Sequence, residues 1–328
     1  MTDPFPIPTT ISPAAQAIMQ ATMQRPEAPG PAADDEAGWQ AVGAAAASTD
    51  PATVEALALA TTGAVLSDVD ATVEAREIDG AHLFVAVPDG HDPEDERILL
   101  YIHGGGFTWG GGAAAQRSTQ LLAGDFGVRV WGMDYRQLPD HPYPAGLDDC
   151  MTVYRTLLQE RRPQHIIIAG QSGGANLTAA LLLRARDEGL PLPAAAGLIS
   201  PPADLTASGD TYTTNGFTLG PGGLTSTMER YRGDTPIDHP YVSPLFGEYS
   251  SQFPPTILTA GTRDFLLSDT VRMHRKLLNS GVRAELHVWE GAPHGLFMGH
   301  APEDREQIEQ VRRFFEEAWA AGAPAPSA

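Results

Sequence analysis

Cysteine is almost missing from this chain: Cys150 stands alone among 328 residues. A single thiol excludes an internal disulfide and fits a reducing cytoplasm. No Cys or His pair stands at ligand spacing, which argues against a structural zinc site, and no metal is expected. Lysine is equally scarce, with Lys276 the only one against twenty arginines; that bias reads as codon usage or solvent adaptation rather than function. No apolar run approaches a membrane span. The first ten residues lack any basic residue and any long apolar segment, so they do not read as a secretory signal. No internal repeat is apparent. Positive charge is also in deficit: the formal net charge is −20 and the sequence pI is about 4.7. Such a surface repels phosphate backbones and anionic membranes, so neither nucleic acid nor membrane is an expected partner, and the expected location is cytoplasmic. What remains, 42% hydrophobic residues in a chain of this length, suits one large α/β domain with a small added element.

The chemistry-bearing segments fall in one order. The β-branched run His165 to Ala169 is followed by Gly170-Gln171-Ser172-Gly173-Gly174 and then by a helix-forming stretch, Leu177 to Arg186. Strand, Gly-x-Ser-x-Gly, helix is the nucleophile elbow, in which a strained turn exposes the serine hydroxyl. The flanking glycines are needed because a Cβ there would collide with the neighbouring strand and helix. Upstream, Leu99 to Ile102 reads as a buried strand running into His103-Gly104-Gly105-Gly106-Phe107. An HGGG-type loop lets backbone N–H groups approach a developing oxyanion. A phosphate-binding loop fits less well, since no Gly-Lys-Ser/Thr follows. Downstream, the strand Thr256 to Gly261 leads to Asp264, and the strand Ala284 to Trp289 leads to Gly291-Ala292-Pro293-His294-Gly295. Ser, Asp, His is the α/β-hydrolase order, each residue just past a strand end. His287 lies within its strand, His300 near a helix start and Asp269 in a helix, which makes each a weaker rival.

With these motifs placed, the chain resembles the hormone-sensitive-lipase-like esterases, the bacterial family IV branch of the α/β-hydrolases, over about residues 70–320. Further matches are Asp134-Tyr135-Arg136-Gln137-Leu138-Pro139-Asp140-His141-Pro142, Ile199-Ser200-Pro201 with Asp204-Leu205-Thr206, and Tyr241-Val242-Ser243-Pro244-Leu245. The resemblance implies a mostly parallel eight-stranded sheet flanked by helices, with a helical cap. It implies Ser172 as nucleophile, Asp264 as acid and His294 as base. It implies an oxyanion hole from the N–H groups of Gly105, Gly106 and Gly173, with His103 and Gly104 structural. The chain departs from the family at Gln171, where an acid is usual, at Gly173, usually alanine, and at Leu296, often aromatic. These departures bear on substrate preference and rate.

The expected organisation is an N-terminal cap segment over 1–70, a catalytic domain over 71–322 with a cap insertion at about 205–239, and a frayed tail over 323–328. Ser12 to Met23 and Asp50 to Ser67 read as Ala-rich helices with Ser12 and Asp50 as N-caps, joined by a mobile Arg25 to Ala33 connection. Pro302 to Trp319 reads as an amphipathic helix. Met19, Met23, Phe217 and Leu219 from the cap, with Phe107 and Trp109 from the glycine loop, are the candidate acyl-pocket residues. The function expected is hydrolysis of short- to medium-chain carboxylic esters without a cofactor. A lactonase or amidase with the same triad is the alternative, and a non-catalytic binding protein on the same fold the remote one. The resemblance also implies a homodimer through the edge strand near Leu286.

Overall fold

The computed structural model describes residues 6–23, 30–64, 69–216 and 224–322. Its sheet runs in the order β1-β2-β4-β3-β5-β6-β7-β8. The strands are β1 (Ala71–Ile78), β2 (Ala81–Pro88), β3 (Ile98–Ile102), β4 (Arg129–Asp134), β5 (Ile166–Gln171), β6 (Ala195–Ile199), β7 (Thr256–Gly261) and β8 (Ala284–Trp289). β2 pairs antiparallel with both β1 and β4; every other pairing is parallel. The helices are α1 (Pro13–Met23), α2 (Glu36–Ala46), α3 (Pro51–Thr62), α4 (Ala113–Phe126), α5 (Ala145–Glu160), α6 (Gly173–Asp187), α7 (Thr211–Thr214), α8 (Thr225–Arg232), α9 (Leu267–Asn279) and α10 (Pro302–Gly322).

The central strands are apolar throughout because both faces are covered. Alternate residues point to opposite faces. Leu100, Ile102, Ile166, Ile168, Leu198 and Leu258 therefore meet α5, α6 and α9 in one core. Their neighbours Leu99, Tyr101, Ile167, Ala169, Ala195 and Ile257 meet α3, α4 and α10 in the other. β8, which carries Leu286, closes one edge of the sheet, and Val288 on it is exposed.

Most expected elements form, with shifted ends. β5 extends to Gln171 and α6 begins at Gly173, so only Ser172 separates strand from helix. α3 starts as expected: the Asp50 carboxylate accepts from the Thr53 N–H at 2.9 Å and Pro51 opens the first turn. It stops earlier than expected, at Thr62, because Gly63 takes a left-handed conformation, φ +64°. Residues 65–68 lie outside the described residues, as do 24–29 of the expected connection, 217–223 of the expected cap insertion and the tail 323–328. α2 was not expected at all. It is capped by Asp35, whose carboxylate accepts from the Gly38 N–H at 3.0 Å.

Candidate active site

The carboxyl ends of β3, β5, β7 and β8 converge on one point. β5 ends in a sharp turn: Ser172 sits at φ +52° and opens α6. A β-carbon on Gly174 would lie 1.9 Å from the Ile102 carbonyl oxygen, and one on Gly170 would lie 2.5 Å from the Gly174 backbone. Both positions therefore demand glycine, as the sequence pattern requires. The Ser172 N–H donates to the Ile199 carbonyl at 2.8 Å, which fixes the turn to β6.

The loop after β8 brings His294 Nε2 to 3.0 Å from Ser172 Oγ. Its Nδ1 lies 3.1 Å from Oδ1 of Asp264, which follows β7. Asp264 is fully buried, and that same Oδ1 accepts from the Leu266 N–H at 2.8 Å. Burial alone would raise its pKa. The charge and hydrogen bond of His294, with help from the Ser200 hydroxyl and the Leu266 N–H, outweigh burial and hold it below the usual carboxylate range. An ionised acid, an imidazole and a hydroxyl thus form one continuous line. The Phe265 ring lies 4.7 Å from the imidazole and shields it.

The glycine loop lies opposite. Gly105 takes φ +102°, and a β-carbon there would meet the Trp109 carbonyl oxygen at 2.2 Å. Its own carbonyl is occupied by the Thr108 and Trp109 N–H groups, at 3.0 and 2.9 Å. No described residue accepts from the N–H of Gly105 or Gly106. Gly173 is the first residue of α6, where helix N–H groups lack intrahelical partners. His103 is buried, stacks on Tyr135 at 4.5 Å and places Nδ1 2.8 Å from the Gly104 carbonyl. Burial pushes its pKa down, which keeps it neutral.

A cavity of about 460 Å³ opens over Ser172 and His294. Its apolar wall comes from Trp39 and Val42 of α2, Leu57 and Ala60 of α3, Leu224 before α8, and Phe265. Trp109 lines it. Phe107 does not: its ring is buried against Tyr231, with centroids 3.7 Å apart and planes 6° from parallel. That stack lies against Gly173. An alanine there would press on the Phe107 N–H and ring at 3.2 and 3.3 Å. Met19 does not line the cavity either. It packs with Ile11, Ala15, Trp289 and Phe297 and anchors α1 to the loop that carries His294. The side chains of Met23, Phe217 and Leu219 lie outside the described residues. Asp269 and His287 are in α9 and β8, away from Ser172, and His300 is exposed ahead of α10. Gln171 is buried and donates Nε2–H to the Ala60 carbonyl at 3.1 Å, tying the elbow to α3.

A profile of the α/β-hydrolase-fold family matches residues 99–298. An acetyl-hydrolase of Streptomyces hygroscopicus is 34% identical over 235 residues, covering 70% of this chain and 78% of that protein. Among solved structures, the esterase E25 superposes with a TM-score of 0.81 at 32% identity, covering 97% of both chains. An esterase from the bacterial hormone-sensitive lipase family superposes with a TM-score of 0.77 at 27% identity, covering 94% of this chain and 99% of that one. The chain belongs to the α/β-hydrolase family, as a hormone-sensitive-lipase-like carboxylesterase.

Proposed function

We propose that Ser172, His294 and Asp264 are the catalytic triad of this carboxylesterase and that it works through a covalent acyl-enzyme. The observation that carries the reading is the unbroken Ser172–His294–Asp264 line, at 3.0 and 3.1 Å, facing free backbone N–H groups across an apolar cavity. The hydroxyl oxygen attacks the ester carbonyl carbon as its proton passes to His294 Nε2. Asp264 holds the ring through Nδ1 and stabilises the imidazolium. The N–H groups of Gly105, Gly106 and Gly173 receive the oxyanion of the tetrahedral intermediate. Collapse breaks the bond to the leaving oxygen, which takes the proton from His294. Water then attacks the acyl group, giving its proton to His294, and release of the acid restores the serine.

The preferred substrates in this reading carry acyl groups of roughly two to eight carbons, since each buried CH₂ contributes only while pocket remains. An apolar cavity of only about 460 Å³ and an acetyl-hydrolase among the relatives support that range. The test is a p-nitrophenyl ester series with wild type and Ser172→Ala, alongside mass analysis after an organophosphate. We expect one adduct, on Ser172, and a loss of turnover on the order of 10⁴-fold or more in the folded variant. Near-normal turnover of Ser172→Ala would remove the triad assignment. Palmitoyl esters outpacing butyrate would remove the chain-length assignment alone.

A further inference from the structure

Two separate stretches of chain wall the cavity above Ser172. One is the N-terminal segment that carries Trp39 and Val42 on α2. The other is the segment around α8, which contributes Leu224 and Thr227. One side chain ties them together. Arg230, on α8 just past Thr227, reaches across to α2. Its guanidinium grips both oxygens of Glu36, at 2.7 and 2.9 Å. It also donates to the Ala33 carbonyl at 3.2 Å and to the Pro139 carbonyl at 3.4 Å. The same group lies over the Trp39 ring, 5.5 Å from its centroid. A two-pronged grip of this kind fixes orientation as well as distance, and only arginine supplies it.

Trp39 is the part of the wall that this grip holds. Its indole N–H donates to the Ala32 carbonyl at 2.9 Å, and the residue is only 2% exposed. One ring face meets the cation while the side chain lines the cavity. We propose that Arg230 is a positioning residue for substrate selection: through Glu36 and Trp39 it sets the spacing of the two segments, and with it the longest acyl chain the cavity accepts. The inference rests on the finite-pocket reading given above. It adds the residue that sets the depth.

The physical reason is that α2 and α8 come from stretches far apart in the chain, and the clasp is what ties this part of the wall together. A short ester fills little of the cavity and is indifferent to the far wall. A long ester must displace it. Loosening the clasp therefore favours long chains over short ones, whereas a general loss of packing would weaken both.

The experiment measures kcat/KM on p-nitrophenyl esters from acetate to palmitate for wild type, Arg230→Gln, Arg230→Lys, Glu36→Gln and Trp39→Ala. Thermal unfolding is followed in parallel. In the glutamine variants and in Trp39→Ala the optimum should move to longer esters, by about fourfold in the octanoate-to-butyrate ratio for each further methylene accommodated. Arg230→Lys keeps the charge but not the fork, and should fall between wild type and Arg230→Gln. The Glu36 side chain is 70% exposed, so Glu36→Gln touches no core and carries the test even if Trp39→Ala fails to fold. Variants that lose stability but keep the wild-type profile would overturn the proposal. A wild type that itself prefers palmitoyl would instead refute the finite-pocket reading, which separates the two failures.

Discussion

Single residues decide the elbow, and neighbouring glycines there should behave very differently. Gly174→Ala puts a β-carbon 1.9 Å from a backbone carbonyl in the middle of the sheet, which cannot move aside. The expected cost is about 3 kcal/mol, read as a lower urea midpoint or as loss of soluble protein. Gly173→Ala meets Phe107 at 3.2 Å, a contact that a small shift relieves, and should fold with activity retained. Equal damage from both would contradict the packing derived for the turn. The two histidines offer a second contrast. On the proposed mechanism His294→Ala approaches Ser172→Ala in severity, because members of a catalytic triad act as a unit. His300→Ala should be mild, since that ring is exposed ahead of α10. Much of this was legible beforehand, because a strained turn, a glycine loop and two post-strand loops each impose residue types at fixed spacing. The cavity wall was not. Trp39, Leu57, Leu224 and Phe265 belong to no motif, and an apolar residue facing a cavity looks in sequence like one facing the core. Met19 and Phe107 illustrate the converse error: both were expected on the wall and both are packed beneath it.

At the scale of elements, α3 is held to the catalytic sheet through its own last carbonyls. Helix C-termini leave such groups without intrahelical partners. Here Ala60 accepts from Gln171, Thr61 from the Gly104 N–H at 2.6 Å, and Thr62 from the Tyr101 hydroxyl. One end of a helix thus meets the elbow, the glycine loop and β3 together. Gln171, a departure from the family's usual acid, supplies a donor that a carboxylate could not. Tyr101→Phe should leave the buried Thr62 carbonyl unpaired and cost about 1–3 kcal/mol, seen as a lower denaturant midpoint at unchanged slope. An unchanged midpoint would mean that this tether carries no stability. The elements hardest to foresee were α2 and the β1–β2 pair. α2 reads Glu-Ala-Gly-Trp-Gln-Ala-Val-Gly-Ala-Ala-Ala, with two glycines that disfavour a helix, and only the Asp35 cap announces it. β1 and β2 meet at Asp79-Gly80, both at positive φ, an Asp-Gly hairpin signal only two residues long.

Across the whole molecule the charge of −20 conceals carboxylates of two opposite kinds. Asp204 and Asp264 are buried, which would raise their pKa values, but their hydrogen-bond and charge partners hold them low. Their contribution is present above the unfolded carboxylate pKa and is lost as pH falls through the folded value. Asp269 runs the other way. Burial in α9 pushes its carboxyl up to about 7, and the neighbouring Asp204 charge adds to the push. The Asp204 N–H at 2.9 Å, the Tyr212 hydroxyl at 3.2 Å and Arg272 at 3.8 Å oppose it without cancelling it. The unfolded carboxyl loses its proton near about 3.9. Between that value and about 7 the folded chain therefore binds more protons at this site than the unfolded chain. Stability from Asp269 must fall as pH rises through that window, and the loss is complete above it. Asparagine imitates the protonated acid and cannot ionise. The melting temperature of Asp269→Asn should accordingly gain on wild type as pH rises from roughly 4 to 8, with most of the gain made by neutrality. A difference that stays flat across that range would mean that Asp269 is already ionised in the fold, and that Arg272 dominates the site instead of its burial beside Asp204.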